Sequence, residues 1–231
     1  MVTNTIAKRG ILKHWARRTA TAAVLLLACM APYVSAGPEG EQVVHGEANF
    51  ARQGDLTIIE AGNNAIIDYS SFNIGSHETV QFIQPSDAAR VLNRIQGPDP
   101  TQIDGSLQAN GIVYIVNPAG VYFGNGALVD VGQIYAAAGS LSNQDFLNNV
   151  NHFTSMNGEV MNFGTIEADA ISFVGQRVAN FGTLMAPEGM VTMLAGDDVY
   201  MGEEYDSHVM VKLTDTGTQD GDAAAVENQG E

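Results

Sequence analysis

Five residues recur at a fixed distance in the second half of the chain, and that recurrence limits the fold more than anything else in the sequence. Asn162-Phe163-Gly164-Thr165-Ile166 returns as Asn180-Phe181-Gly182-Thr183-Leu184, 18 residues later. At the same offset Ala168 aligns with Ala186 and Phe173 with Val191. A repeat of this length, made of short β-prone runs with no helical pattern between them, marks a β-solenoid. Each coil buries one apolar face on the next, so the core runs along the axis. Asn162 and Asn180, with Gly164 and Gly182, then occupy equivalent corners, and the two asparagines predict an inward ladder. A β-sandwich also uses short strands at such spacing, but it does not require near-identity at one period.

Residues 107–132, LQANGIVYIVNPAGVYFGNGALVDVG, show how one coil is built. The run 112–116 is apolar, β-branched and aromatic, which reads as a buried strand. Asn117-Pro118-Ala119-Gly120 then breaks it. Asn first, Pro second and Gly fourth are the preferences of a type I turn. Pro118 has no N–H for a ladder, so no central strand continues through it. Residues 121–123 form a second strand, Gly124-Asn125-Gly126 a second corner, and 127–131 a third strand.

This stretch resembles the amino-terminal secretion domain of the filamentous haemagglutinin family, the exported partner in two-partner secretion. That family carries an Asn-Pro-x-Gly-Ile/Val turn, matched here by Asn117, Pro118, Gly120 and Val121. Its commonest form has Asn at the third position, where this chain has Ala119. The segments SFNIGSHETVQFIQPS (71–86), VLNRIQGPDPTQIDGSLQANG (91–111) and GALVDVGQIYAA (126–137) follow the family's pattern in the family's order. The likeness covers roughly residues 40–202. It implies an all-β fold, a right-handed single-stranded parallel β-helix with an N-terminal cap and small extra β elements. It also implies that the Asn117–Gly120 turn belongs to the region needed for export. The partner it implies is an outer-membrane transporter, a β-barrel pore with periplasmic POTRA domains. A host or neighbouring-cell surface is a further candidate partner. Family members carry a long passenger after this domain, and this chain ends at Glu231. A shortened member, a stand-alone surface protein and an export-competent remnant all fit that length.

Residues 1–36 read as a targeting segment. Lys8, Arg9, Lys13, Arg17 and Arg18 precede an apolar run over residues 20–30, and Val34-Ser35-Ala36 resembles a cleavage site. The run is too short to span a bilayer as a helix. Cleavage is expected between Ala36 and Gly37, on the route through the periplasm to the cell surface or beyond. Leu26-Leu27-Ala28-Cys29 resembles a lipoprotein box, and lipidation at Cys29 is the competing expectation. The chain carries 10 basic and 26 acidic residues, a net charge of −16. Loss of residues 1–36 removes five basic residues and no acidic one, leaving −21. Such a chain repels phosphate, which excludes non-specific nucleic-acid binding and attraction to an anionic membrane. The chain beyond residue 36 has no cysteine, which is compatible with threading across a second membrane unfolded.

Along the remaining chain, residues 42–45, 55–60, 65–69 and 78–83 read as strands. By the resemblance, the region before residue 70 forms the cap over the first coil. Residues 97–105 read as a turn-rich excursion, and 140–157 as an outer loop or short helix. Residues 198–213 hold one or two last strands, with Glu203, Glu204 and Asp206 placed to blunt the open end of the stack. Residues 214–231 are acidic and Gly-containing, with almost no large apolar group, and read as a disordered tail.

Catalytic chemistry is sparse. His45, His77, His152 and His208 show no zinc-helix spacing. No nucleophile elbow, P-loop or dinucleotide fingerprint appears, and no EF-hand or Gly/Asp nonapeptide pattern suggests calcium. No metal or cofactor is expected. Asp197-Asp198 is the one candidate for a carboxylate cluster, of the sort polysaccharide-cleaving β-solenoids use. The reading is a non-catalytic secretion domain. A stand-alone surface or lipid-anchored adhesive β-helix is the first alternative, and a polysaccharide-active enzyme a remote one.

Overall fold

The computed structural model describes residues 37–187, 189–204, 208–215 and 226–231. The first strands are β1 (Gln42–His45), β2 (Ala48–Gln53), β3 (Leu56–Ala61), β4 (Ala65–Tyr69), β5 (Thr79–Ile83), β6 (Arg90–Ile95) and β7 (Thr101–Ile103). The middle of the chain holds β8 (Ser106–Val116), β9 (Val121–Phe123), β10 (Leu128–Ala137), β11 (Ser140–Leu141), helix α1 (Asn143–Leu147), β12 (Asn151–Thr154), β13 (Glu159–Asn162), β14 (Thr165–Gly175) and β15 (Arg177–Asn180). The last elements are β16 (Thr183–Met185), β17 (Met190–Ala195), β18 (Asp198–Glu204), β19 (His208–Asp215) and β20 (Val226–Asn228).

Parallel pairing stacks these strands into a β-helix with three faces. Face A runs β3, β5, the first half of β8, the first half of β10, the first half of β14, then β16. Face B runs β4, β6, then the second halves of β8, β10 and β14, then β17. Face C runs β7, β9, β13, β15 and β20.

Face A alternates as a half-buried strand should: in β10, Val129 and Val131 point into the core while Leu128 and Asp130 face out. Face B is different. Its strands are nearly continuous apolar runs, such as AIIDY in β4, because both sides are buried. One set of side chains, including Ile67, Val91, Val113, Ile134 and Phe173, fills the bore of the helix. The other set, including Ile66, Leu92, Tyr114 and Val174, packs outward on Phe146 of α1 and on Phe153, Val199 and Met201. Those last three belong to a side sheet in which β11, β12, β18 and β19 pair antiparallel.

The ends are treated differently. β1 and β2 lie antiparallel on β4 and β3, and so cover the backbone edge of the first coil. Arg52 of β2 bonds the Glu41 carboxylate at 2.9 and 3.0 Å and the Pro38 carbonyl at 2.9 Å, which ties the cap together.

Five readings of the sequence are corrected, the first being the extent of the cap: β3 and β4, read as part of it, pair parallel with β5 and β6 as the first rungs of the stack, and only β1 and β2 cover them. Residues 101–103, taken as part of an excursion, are strand β7, paired with β9. Residues 198–213 do not end the stack: β18 and β19 form the outer antiparallel sheet, so Glu203 and Glu204 are not at its open end, and Asp206 lies outside the described residues. Residues 226–231 of the expected disordered tail are ordered. β20 pairs with β15, and Arg177 Nη2 donates to the Glu227 carboxylate at 3.1 Å. Phe173 pairs with Met193 rather than Val191, because two extra residues enter between face A and face B of the last coil.

Candidate functional site

The Asn117–Gly120 turn is the corner from face B to face C in the third coil. Gly120 N donates to the Asn117 carbonyl at 3.0 Å, which closes a four-residue turn. Ala119 has no positive φ, as type I requires and type II forbids. Asn117 is fully buried, and every polar atom of its amide is used. Its Oδ1 accepts from Ala119 N at 2.9 Å, inside the turn. Its Nδ2 donates to the Asp99 carbonyl at 3.0 Å and to Thr101 Oγ1 at 3.1 Å, in the coil before. The side chain is therefore a bolt between coils. Pro118 follows at the turn's second position, where its fixed φ fits and its missing N–H costs nothing. Gly120 has φ +124°, and a Cβ there would lie 3.1 Å from the Glu159 carbonyl. Gly158 in the next coil sits so close that a Cβ would meet Ala119 and Gly120 backbone atoms at 2.7 Å. Val121 then enters the bore as a fully buried residue.

The second column is the corner from face C to face A. Asn162 pairs with Asn180 in register, and both side chains are buried. Asn162 Nδ2 donates to Asn180 Oδ1 at 2.8 Å, and Asn180 Nδ2 donates to Asn228 Oδ1 at 2.8 Å. Within each corner, Gly164 N donates to Asn162 Oδ1 and Gly182 N to Asn180 Oδ1, at 3.1 and 3.2 Å. Phe163 and Phe181 stack outside this ladder with centroids 5.1 Å apart. Asn228-Gln229-Gly230 is thus a third copy of Asn-Phe-Gly. Sequence reasoning missed it, although the Asn-x-Gly signature is there to be read.

The two columns sit at different corners and do not form one cluster. Gly37 is buried at the start of the described residues, while Ala36 and Cys29 lie outside them. The candidate catalytic acids separate: Asp197 accepts from the Gln176 amide, and Asp198 bonds His152 Nε2 at 2.9 Å. Among the described residues no group of three or more His, Cys, Asp or Glu is placed to hold a metal, and no helix is long and apolar enough to cross a membrane.

A family model described as the TPS secretion domain matches residues 31–231. The chain belongs to the TPS (two-partner secretion) secretion domain family. It is a secretion domain of haemagglutinin-like exoproteins, and membership implies a partner transporter in the outer membrane. A Heme/hemopexin-binding protein of Haemophilus influenzae is 34% identical over 214 residues, covering 87% of this chain and 23% of that protein. A second H. influenzae protein of that name is 38% identical over 99 residues, or 43% of this chain and 11% of its own length. This TPS domain therefore spans about a quarter or less of these relatives. The HMW1 secretion domain from H. influenzae superposes with a TM-score of 0.69 at 28% identity, covering 77% of this chain and 49% of that one. The filamentous hemagglutinin secretion domain shares the fold, with a TM-score of 0.60 at 13% identity over 83% of this chain and 74% of that one.

Proposed function

We propose that this TPS domain carries no catalytic activity and acts by being exported. A signal peptide ending at Ala36 takes the chain to the periplasm, where cleavage leaves Gly37 first. The unfolded or partly folded domain docks on periplasmic POTRA domains of a β-barrel pore. It then folds beyond the outer membrane at or near the cell surface, coil upon coil, so that folding helps to draw the chain out. The family match along residues 31–231 carries this reading. The architecture supports it in a physical way: every coil after the cap finds its hydrogen-bond partners on the coil before, so the chain can order from the N-terminal end as it emerges. The absence of cysteine beyond residue 36 removes cross-links that would resist threading.

The Asn117–Gly120 turn takes part in export beyond holding its corner. Asn117→Ala tests this, with secretion to the medium and thermal stability of the refolded chain measured side by side. The proposal expects export to fall much further than stability does. Export that falls only in proportion to stability would reduce the turn to a corner.

A further inference from the structure

The outward side of face B is filled unevenly. Register aligns Tyr114 with Tyr135, then Ser172, then Thr192, along successive coils. Tyr114 and Tyr135 stack with centroids 4.3 Å apart and planes within 7°. The column then drops from rings to small hydroxyl side chains. The neighbouring column drops in the same coil, from Gln133 to Ala170. The side sheet does not descend to fill the gap. A cleft of about 690 Å³ results, with Asn149, Asn151 and Tyr200 on the side-sheet wall and Asp169, Ser172 and Thr192 on the helix wall. Its volume falls within the range of small-ligand sites, about 300–1,000 Å³.

We propose that this cleft binds a neutral oligosaccharide. Amides and hydroxyls standing side by side offer donors and acceptors together, which suits sugar hydroxyls that are both. Tyr114 Oη donates to Asn151 Oδ1 at 3.0 Å and so fixes that amide at the cleft wall. Tyr135 lines the cleft, stacked on Tyr114 at the point where the column drops to Ser172, and offers an aromatic ring against which the C–H face of a sugar packs.

The charge pattern decides against an acidic ligand. Asp169 is a carboxylate in the lining, and the chain's net charge is −16. Arg90 lines one end, where Nη2 donates to Asn64 Oδ1 at 2.6 Å and the group lies 4.8 Å over the Phe146 ring, so among the described lining residues one cation is matched by one carboxylate and no surplus positive charge awaits an anion. An extended peptide fits less well. β8, β10 and β14 are inner strands whose backbone groups bond to adjacent coils, which leaves no edge there for strand addition. Glycoside cleavage needs a pair of carboxyl groups across the bond. Among the described residues Asp169 is the one carboxylate in the lining, so no such pair is seen there and the proposal is of binding alone.

The test is calorimetric titration of the purified chain with neutral gluco-, galacto- and manno-oligosaccharides, and with oligogalacturonate as the acidic arm. Saturable binding of a neutral oligosaccharide is expected, with no new reducing ends. Asn149→Gly and Asp169→Ala, both at exposed positions in the lining, should each raise its Kd about tenfold while leaving the thermal midpoint unchanged. No saturable binding, binding of the acidic arm alone, or binding that neither variant weakens would overturn the assignment.

Discussion

Asn180 is the middle rung of the corner ladder, and removing its amide has a calculable effect. Asn180→Ala deletes the bond from Asn162, the bond to Asn228, the bond from Gly182 N and a long bond to the Gly182 carbonyl, at 2.8, 2.8, 3.2 and 3.4 Å. The neighbours are not left orphaned. Asn162 Nδ2 keeps the Gly164 carbonyl at 3.2 Å, and Gly182 N keeps the Asn162 carbonyl at 3.1 Å. The cost should therefore be near the net value of three good hydrogen bonds and one long one, about 3 kcal/mol, rather than the larger penalty of unpaired buried groups. For a domain of this size that corresponds to a thermal midpoint lower by about 6–12 °C. Asn180→Asp separates the ladder from simple packing. It keeps the acceptor but sets a buried carboxylate oxygen against the Asn228 amide oxygen and the Gly182 carbonyl. At neutral pH it should be at least as damaging as Asn180→Ala. Burial and acceptor neighbours raise the introduced carboxyl's pKa in the folded state. The variant's stability is then fully present in acid and lost as pH rises through the carboxylate range. Far-UV circular dichroism melts at several pH values would show this. A midpoint for Asn180→Ala within about 2 °C of the parent, or an Asn180→Asp variant indifferent to pH, would refute the reasoning.

Other expectations follow from single sites. Gly120→Val combines a φ of +124° with a Cβ 3.1 Å from the Glu159 carbonyl, and should cost about 2 kcal/mol or more in a urea titration. Burial pushes the Tyr69 and Tyr114 phenols well above the usual range. Their contribution is full below about pH 10, and stability should fall as pH rises past it, because only the unfolded chain ionises there. Tyr69→Phe should flatten that alkaline limb with little effect at neutral pH, since no described residue hydrogen-bonds Tyr69 Oη. Tyr114→Phe should flatten it too but cost about 1 kcal/mol, through the lost bond to Asn151. The Arg52 hydrogen bond holds the Glu41 carboxyl below its ordinary range. That contribution is present above the ordinary range and lost as pH falls. The pair is partly exposed, so Glu41→Gln should remove no more than about 1 kcal/mol from the melt at neutral pH.

The parts of the fold that were legible in the sequence are the parts governed by local chemistry. The repeat at Asn162 and Asn180 is legible because the same corner recurs with no insertion between, so the chemistry repeats at a fixed step. Asn117-Pro118-Ala119-Gly120 reads as a turn because each residue suits its position unaided. Asn228-Gln229-Gly230 escaped notice because β18 and β19 intervene and break the period, and its acidic surroundings resemble a solvated tail. Thr101-Gln102-Ile103 is hidden among Pro, Gly and Asp. It is a strand because β9 lies beside it, a contact between coils. The second apolar layer, with Phe146, Phe153 and Val199, depends on a side sheet that folds back across the stack. Alternation along a strand does not reveal whether its partner lies in the next coil or in that sheet. The Asn117 bolt was half visible: the turn chemistry is local, but the bonds to Asp99 and Thr101 are not.

The central claim is that this domain leaves the cell through a dedicated outer-membrane partner after losing residues 1–36. The most direct test is the intact mass of the native chain in separated periplasm, outer membrane and culture medium, with the candidate pore partner present and deleted. The account expects a species beginning at Gly37 in the medium, lost from there when the partner is absent. A lipid-modified species beginning at Cys29 and held in the membrane, whether or not the partner is present, would contradict it.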